Sequence, residues 1–214
     1  MRFMEQYIKP KLMLQSPEFG GLCSVSVTAG NFGLAMNGTH YFEMFRYLTD
    51  EPAVEVQAWF SEETVPNPRG PQFLDRAGTI RLTTATGKRF YLDASADQGH
   101  GVFVQYVAKY GQITVDELGG RMSWSVRKSE QRDMPTTRYG MPWTEGLEVI
   151  TPADALKPSL EVLNALLEGG NYPTGEDGLL AIKVLVAAYV SSEQGSRVVR
   201  LDEKFSEEQV FPWA

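Results

Sequence analysis

Between residues 38 and 48, Tyr41, Met44, Phe45 and Leu48 fall at the i, i+3, i+4, i+7 spacing of one buried helical stripe. Farther on the period shortens to two. Ile80 and Leu82, then Phe90 and Leu92, alternate with polar residues on either side of Thr86-Gly87, predicting a hairpin of strands 79–84 and 89–94. The alternation continues through Val102, Val104 and Tyr106, turns at Gly111, and resumes with Ile113 and Val115 before Met122, Trp124 and Val126. Residues 179–190 are apolar almost all round a helix and should be buried on several sides; Thr174 with Asp177 forms its expected cap, and Gly195 its stop. With helices over 38–48, 159–168 and 175–193, the pattern predicts an α+β fold of two layers: an open, mostly antiparallel or mixed sheet with its helices on one face.

One face of such a sheet is left uncovered. Outward Tyr, Trp and Val residues there would form a large apolar surface of the kind monomers rarely expose, so the free face is expected to mediate a homodimer or higher assembly. The competing expectation is an amphipathic sheet with polar outward residues and no partner.

The chain has 214 residues, 43% hydrophobic and 22% charged, which suits a single domain over 1–203 with a tail at 204–214. A net charge of −7 argues against nucleic-acid and anionic-membrane partners. The single cysteine, Cys23, alternates with Val25 and Val27 and reads as a buried strand residue in a reducing compartment. Glu5, Lys9 and Lys11 interrupt the apolar block a signal peptide needs, and 179–190 contains Lys183 and is too short to span a bilayer. A cytoplasmic location is expected. Neither a phosphate loop at Gly87-Lys88, nor zinc spacing, nor a Gly-x-Ser-x-Gly elbow is present.

The chemistry concentrates at Met36-Asn37-Gly38-Thr39-His40. His40 is in the first turn of the helix and beside its apolar stripe. There the positive end of the helix dipole disfavours imidazolium, which suits a general base near neutral pH. Glu43, three residues on, is placed to fix its tautomer, and Gly30, Gly33 and Gly38 would clear a pocket floor. The plainer alternative is a histidine bonded to exposed backbone, with Asn37 or Thr39 as N-cap.

The run Gly38-Thr39-His40-Tyr41-Phe42-Glu43, followed by Arg46-Tyr47-Leu48, Glu51-Pro52 and Val54-Glu55-Val56, resembles the C-terminal domain of the Gfo/Idh/MocA oxidoreductases, a dihydrodipicolinate reductase-like fold. The far end is similar too, at Tyr172-Pro173-Thr174-Gly175-Glu176-Asp177-Gly178 and at Ala187-Ala188-Tyr189-Val190-Ser191-Ser192, while the middle matches more loosely. The resemblance implies a domain that binds a sugar-like or polyol substrate against a nicotinamide held by a separate Rossmann domain. No Gly-x-Gly-x-x-Gly follows a strand here, and the family's Glu-Lys-Pro motif is missing. No cofactor is therefore expected on this chain: NAD or NADP belongs on a missing Rossmann domain, in cis or in trans, and the isolated chain should be inactive.

Arg2-Phe3 resembles the pair that opens this domain in the family, so Met1 reads as an internal position. On this reading His40 is the proton-transfer residue and Asn37 and Thr39 are substrate contacts. The acidic residue often found four before the family's histidine is replaced by Met36, and Asn37 can hydrogen-bond a hydroxyl but cannot take up a proton. Arg138, Tyr139 and Trp143, in a loop over 132–143, are candidates for substrate or interface contact; Arg69 and Asp75 are weaker ones. The alternatives are a ligand-binding protein that kept the fold without redox chemistry, and a purely structural dimerisation module.

Overall fold

A computed structural model describes residues 1–67, 69–135, 142–206 and 209–213. Nine strands form one sheet: β1 (Leu22–Gly30), β2 (Ala53–Val65), β3 (Asp75–Thr84), β4 (Arg89–Ser95), β5 (Val102–Ala108), β6 (Gly111–Asp116), β7 (Arg121–Arg127), β8 (Trp143–Val149) and β9 (Val199–Arg200). Their order is β8-β7-β6-β5-β1-β4-β3-β2-β9. Only the central β1–β4 pair is parallel, so the sheet is mixed and open as the alternation predicts.

The predicted hairpin is β3–β4, with Ile80 opposite Leu92, Leu82 opposite Phe90, and Gly87 turning at a φ of 85°. The helices are α1 (Glu5–Gln15), α2 (Thr39–Thr49), α3 (Leu156–Glu168) and α4 (Gly175–Glu193), and a single π turn at Leu34–Gly38 leads into α2. The α2 stripe of Tyr41, Met44, Phe45 and Leu48 is buried as its spacing demands; Phe42 and Phe45 both pack on Phe90. The Thr174–Asp177 capping box opens α4, and Gly195 leaves it at a φ of 71°.

Three expectations need correction. Cys23 is only half-buried, because a bulge between Leu22 and Ser24 takes it out of the alternation that Val25 and Val27 keep. The valines at 25, 27, 104, 115 and 126 all point into the core. The centre of the free face is therefore Ser24, Ser26, Thr28, Gln105, Gln112, Thr114, Ser123 and Ser125, with Trp59, Tyr91, Phe103 and Trp143 scattered around it.

The third correction concerns α3, which does not cover the sheet. Leu156, Leu160, Leu163 and Leu167 form a stripe at i, i+4, i+7, i+11 that stands in solvent, Leu167 at 77% exposure. The helix missed in the sequence, α1, takes its place and inserts Tyr7 and Leu14 into the core. Among the described residues no helix is long and apolar enough to cross a membrane.

Candidate functional site

The approach to His40 is shaped by a carboxylate from β3. Asp75 is fully buried and accepts from the backbone N–H groups of Ala35 at 2.8 Å and Met36 at 2.9 Å, so it caps the π turn from outside the helix. Burial raises its pKa, and the backbone donors at residues 34 to 36 and 76 oppose that rise. Gly33 is required by this cap: a Cβ there would come within 2.0 Å of Asp75 Oδ2. The wide turn closes through Asn37 N–H and Gly38 N–H, both donating to the Gly33 carbonyl. It leaves Asn37 exposed one turn before His40.

Asn37 and His40 share the wall of a cleft of about 340 Å³, in the lower part of the range of roughly 300–1,000 Å³ usual for small-molecule sites. Phe32 and Tyr41 continue that wall, Met4 and Tyr7 come from the N-terminal segment and α1, and Pro158, Ser159 and Val162 of α3 stand opposite. Desolvation lowers the His40 pKa, and the Glu43 charge opposes that shift. The ring is therefore predominantly neutral at pH 7 and able to accept a proton.

Glu43 does not orient this ring by a hydrogen bond. Its Oε1 is held by Arg2 at 2.5 Å and by Arg46 at 3.1 Å, and Asp177 completes the network by binding Arg2 at 3.0 Å and Arg46 at 2.9 Å. Two guanidiniums outcompete an imidazole for the carboxylate, and their pairing fastens the N-terminal segment to α2 and α4. Arg2 also donates to Asn171 Oδ1 at 2.8 Å.

None of the three glycines lines the cleft. Cβ atoms at Gly30, Gly33 and Gly38 would meet the Gln98 and His100 backbone, Asp75, and Leu92 respectively, so these glycines serve close packing behind the site. Thr39 turns its hydroxyl to the Ala35 carbonyl at 3.3 Å and is not part of the cleft wall. Neither Asn37 nor Thr39 is the N-cap of α2; that position is Gly38, without a side-chain cap.

Trp143 is on β8, beside Tyr110, Arg127 and Glu145 in a separate depression of the free sheet face. Arg138 and Tyr139 lie outside the described residues. Asp75 acts as a cap, and Arg69 is exposed on the loop before β3.

The sequence reading missed a buried acid in the cleft wall. Glu117, just past β6, is 4% exposed and accepts from Tyr7 Oη and Tyr41 Oη, each at 2.6 Å. Burial raises its pKa against the lowering effect of Tyr41, Tyr7 and Gln6. Burial likewise pushes both tyrosine hydroxyls far above their usual range, so they remain protonated donors. A glutamate in a turn carries no local signal of burial.

The N–H groups that could cradle a pyrophosphate at the start of the π turn are taken by Asp75, and the first turn of α4 carries Glu176 and Asp177. Among the described residues no three His, Cys, Asp or Glu side chains gather to hold a metal ion.

No protein-family model and no curated protein matches the sequence. The fold is shared with solved structures at low identity. An oxidoreductase from Agrobacterium radiobacter in complex with NAD+, L-tartaric acid and magnesium matches with a TM-score of 0.69 and 17% identity, over 94% of this chain and 63% of that one. Aldose-aldose oxidoreductase from Caulobacter crescentus, complexed with glycerol, matches at 0.66 and 20%, over 93% and 61%. The apo scyllo-inositol dehydrogenase of Lactobacillus casei matches at 0.64 and 15%, over 94% and 62%. The chain thus spans under two thirds of the length of these proteins. It has the fold of the sheet domain of Gfo/Idh/MocA-type oxidoreductases.

Proposed function

We propose that this chain is the substrate-binding and assembly domain of an NAD(P)-dependent oxidoreductase acting on a sugar, sugar derivative or polyol. The observation that carries the reading is the cleft itself: a histidine with a lowered pKa beside an exposed amide, on a wall that ends in a buried carboxylate. Oxidising a hydroxyl to a carbonyl needs a base for the hydroxyl proton and an acceptor for two electrons. His40 is the base, and Asn37 donates to or accepts from a neighbouring hydroxyl. Thr39 supports from behind, bracing the turn that carries Asn37. When bound, a nicotinamide supplies the acceptor, and its seat belongs to another domain, in cis or in trans.

The exposed α3 leucines fit this division, because a second domain placed across the cleft would cover them. Homo-oligomerisation through the free sheet face is part of the same proposal. Its support is the set of exposed apolar side chains on that face, Trp59, Tyr91, Phe103, Trp143 and Leu147.

The test is replacement of His40 by Ala in the enzyme that includes the dinucleotide-binding domain. Turnover falls by roughly 10²–10⁴-fold if His40 transfers the proton. Unchanged turnover removes it from the mechanism.

A further inference from the structure

At its inner end the cleft closes on polar atoms. Glu117 and Gln6, the latter 1% exposed, both line it. Tyr7 Oη donates to Glu117 Oε1 and Tyr41 Oη to Oε2. An ionised carboxylate offers about four acceptor positions, so even with the Gln6 amide beside it at least one remains for a ligand. Gln6 is the complementary donor: its amide faces Glu117 and lowers that pKa, and Nε2 has no close hydrogen-bond partner of its own. A buried amide donor with an open position can be met by a ligand hydroxyl.

We propose that Gln6 and Glu117 form a hydroxyl-recognising subsite at the back of the His40 cleft, one that selects neutral polyols and sugars over sugar acids and sugar phosphates. This rests on the reading of the cleft as a site for a polyhydroxylated ligand and narrows it. A hydroxyl accepts from Gln6 Nε2 through its oxygen and donates to a free Glu117 lone pair through its proton, so one small group satisfies both. A carboxylate or phosphate has only acceptors to offer. It would sit against the Glu117 charge or require that glutamate to take up a proton, and Tyr7 and Tyr41 cannot turn to such an anion without abandoning Glu117. A cation would suit Glu117 but leave the Gln6 donors unmatched. His40 and Tyr41 are consecutive on α2, so a ligand held at Glu117 by one end can present another hydroxyl to the imidazole.

The experiment is an NMR titration of the whole chain with glucose and xylitol as neutral probes and gluconate and glucose 6-phosphate as anionic ones. Wild type is expected to bind the neutral probes at least about tenfold more tightly. Glu117→Gln, nearly isosteric, narrows that preference by about tenfold, and Gln6→Met weakens the neutral probes by a similar factor. Equal affinity of wild type for neutral and anionic probes overturns the subsite while leaving the cleft reading intact. So does a folded Glu117→Gln with unchanged preference, and a folded Gln6→Met with unchanged affinity decides in the same way where Glu117→Gln does not fold. No response to any probe up to the solubility limit overturns the subsite and the cleft reading together.

Discussion

Tyr41 Oη donates to Glu117 Oε2 at 2.6 Å across 76 positions of sequence, so the residue next to His40 also anchors the carboxylate at the back of the cleft. The bond is fully buried and one partner is an acid, the situation in which a lost donor is felt most. Tyr41→Phe should lower unfolding stability by about 2 kcal/mol, read from urea denaturation. A change below about 0.5 kcal/mol would mean that the hydroxyl adds nothing to the fold.

The same carboxylate predicts a pH dependence. Its folded pKa lies above the ordinary 4.5, because burial disfavours the charge. The stability it contributes is therefore complete below the unfolded value and is lost as pH rises through the folded one. Glu117→Gln does not titrate, so the wild-type stability relative to this variant should decline as pH is raised from about 4. A difference that stays flat, or grows with pH, contradicts the assignment.

His40 carries the opposite sign. Its pKa lies below 6.5, chiefly through desolvation, so the neutral ring is favoured in the folded state. Whatever stability this gives is present above the unfolded value and lost as pH falls through the folded one. Titration of the ring by NMR should give a midpoint below 6.5, and Glu43→Gln should lower it further by removing the opposing charge.

Gly33→Ala is a small change with a defined target. The added methyl meets Asp75, whose oxygens hold the N–H groups of Ala35 and Met36. Stability should fall by about 1–3 kcal/mol, as overpacking does, and the Asn37 and His40 amide resonances should shift with it.

The α3 leucines should behave as surface residues. Leu160→Glu with Leu163→Glu leaves the chain within about 0.5 kcal/mol of wild type in denaturation, because both side chains are already half exposed. A large loss would place that stripe against something in the folded chain.

Legibility in the sequence followed the range of the interactions. The α2 stripe, the β3–β4 hairpin and the α4 capping box are local, and each was readable from spacing and turn chemistry. The first helix was not, since Gln6 and Pro10 occupy its buried face and disguise the periodicity. The predicted Glu43–His40 pairing satisfied helical spacing but ignored Arg2, which arrives from 41 positions away. Glu117 was invisible for the same reason: its partners come from α1 and α2, and nothing in Asp116-Glu117-Leu118-Gly119 marks it as buried. That Asn37 and His40 share a wall follows from their spacing of three, whereas the polar floor beside them depends entirely on tertiary contacts.

The most direct measurement is the amide NMR spectrum of the whole chain titrated with xylitol. Ligand binding in the cleft predicts saturable shifts at Asn37, His40, Tyr41, Gln6, Glu117 and Val162, which His40→Ala diminishes. Shifts confined to the free sheet face, or none at all, would contradict it.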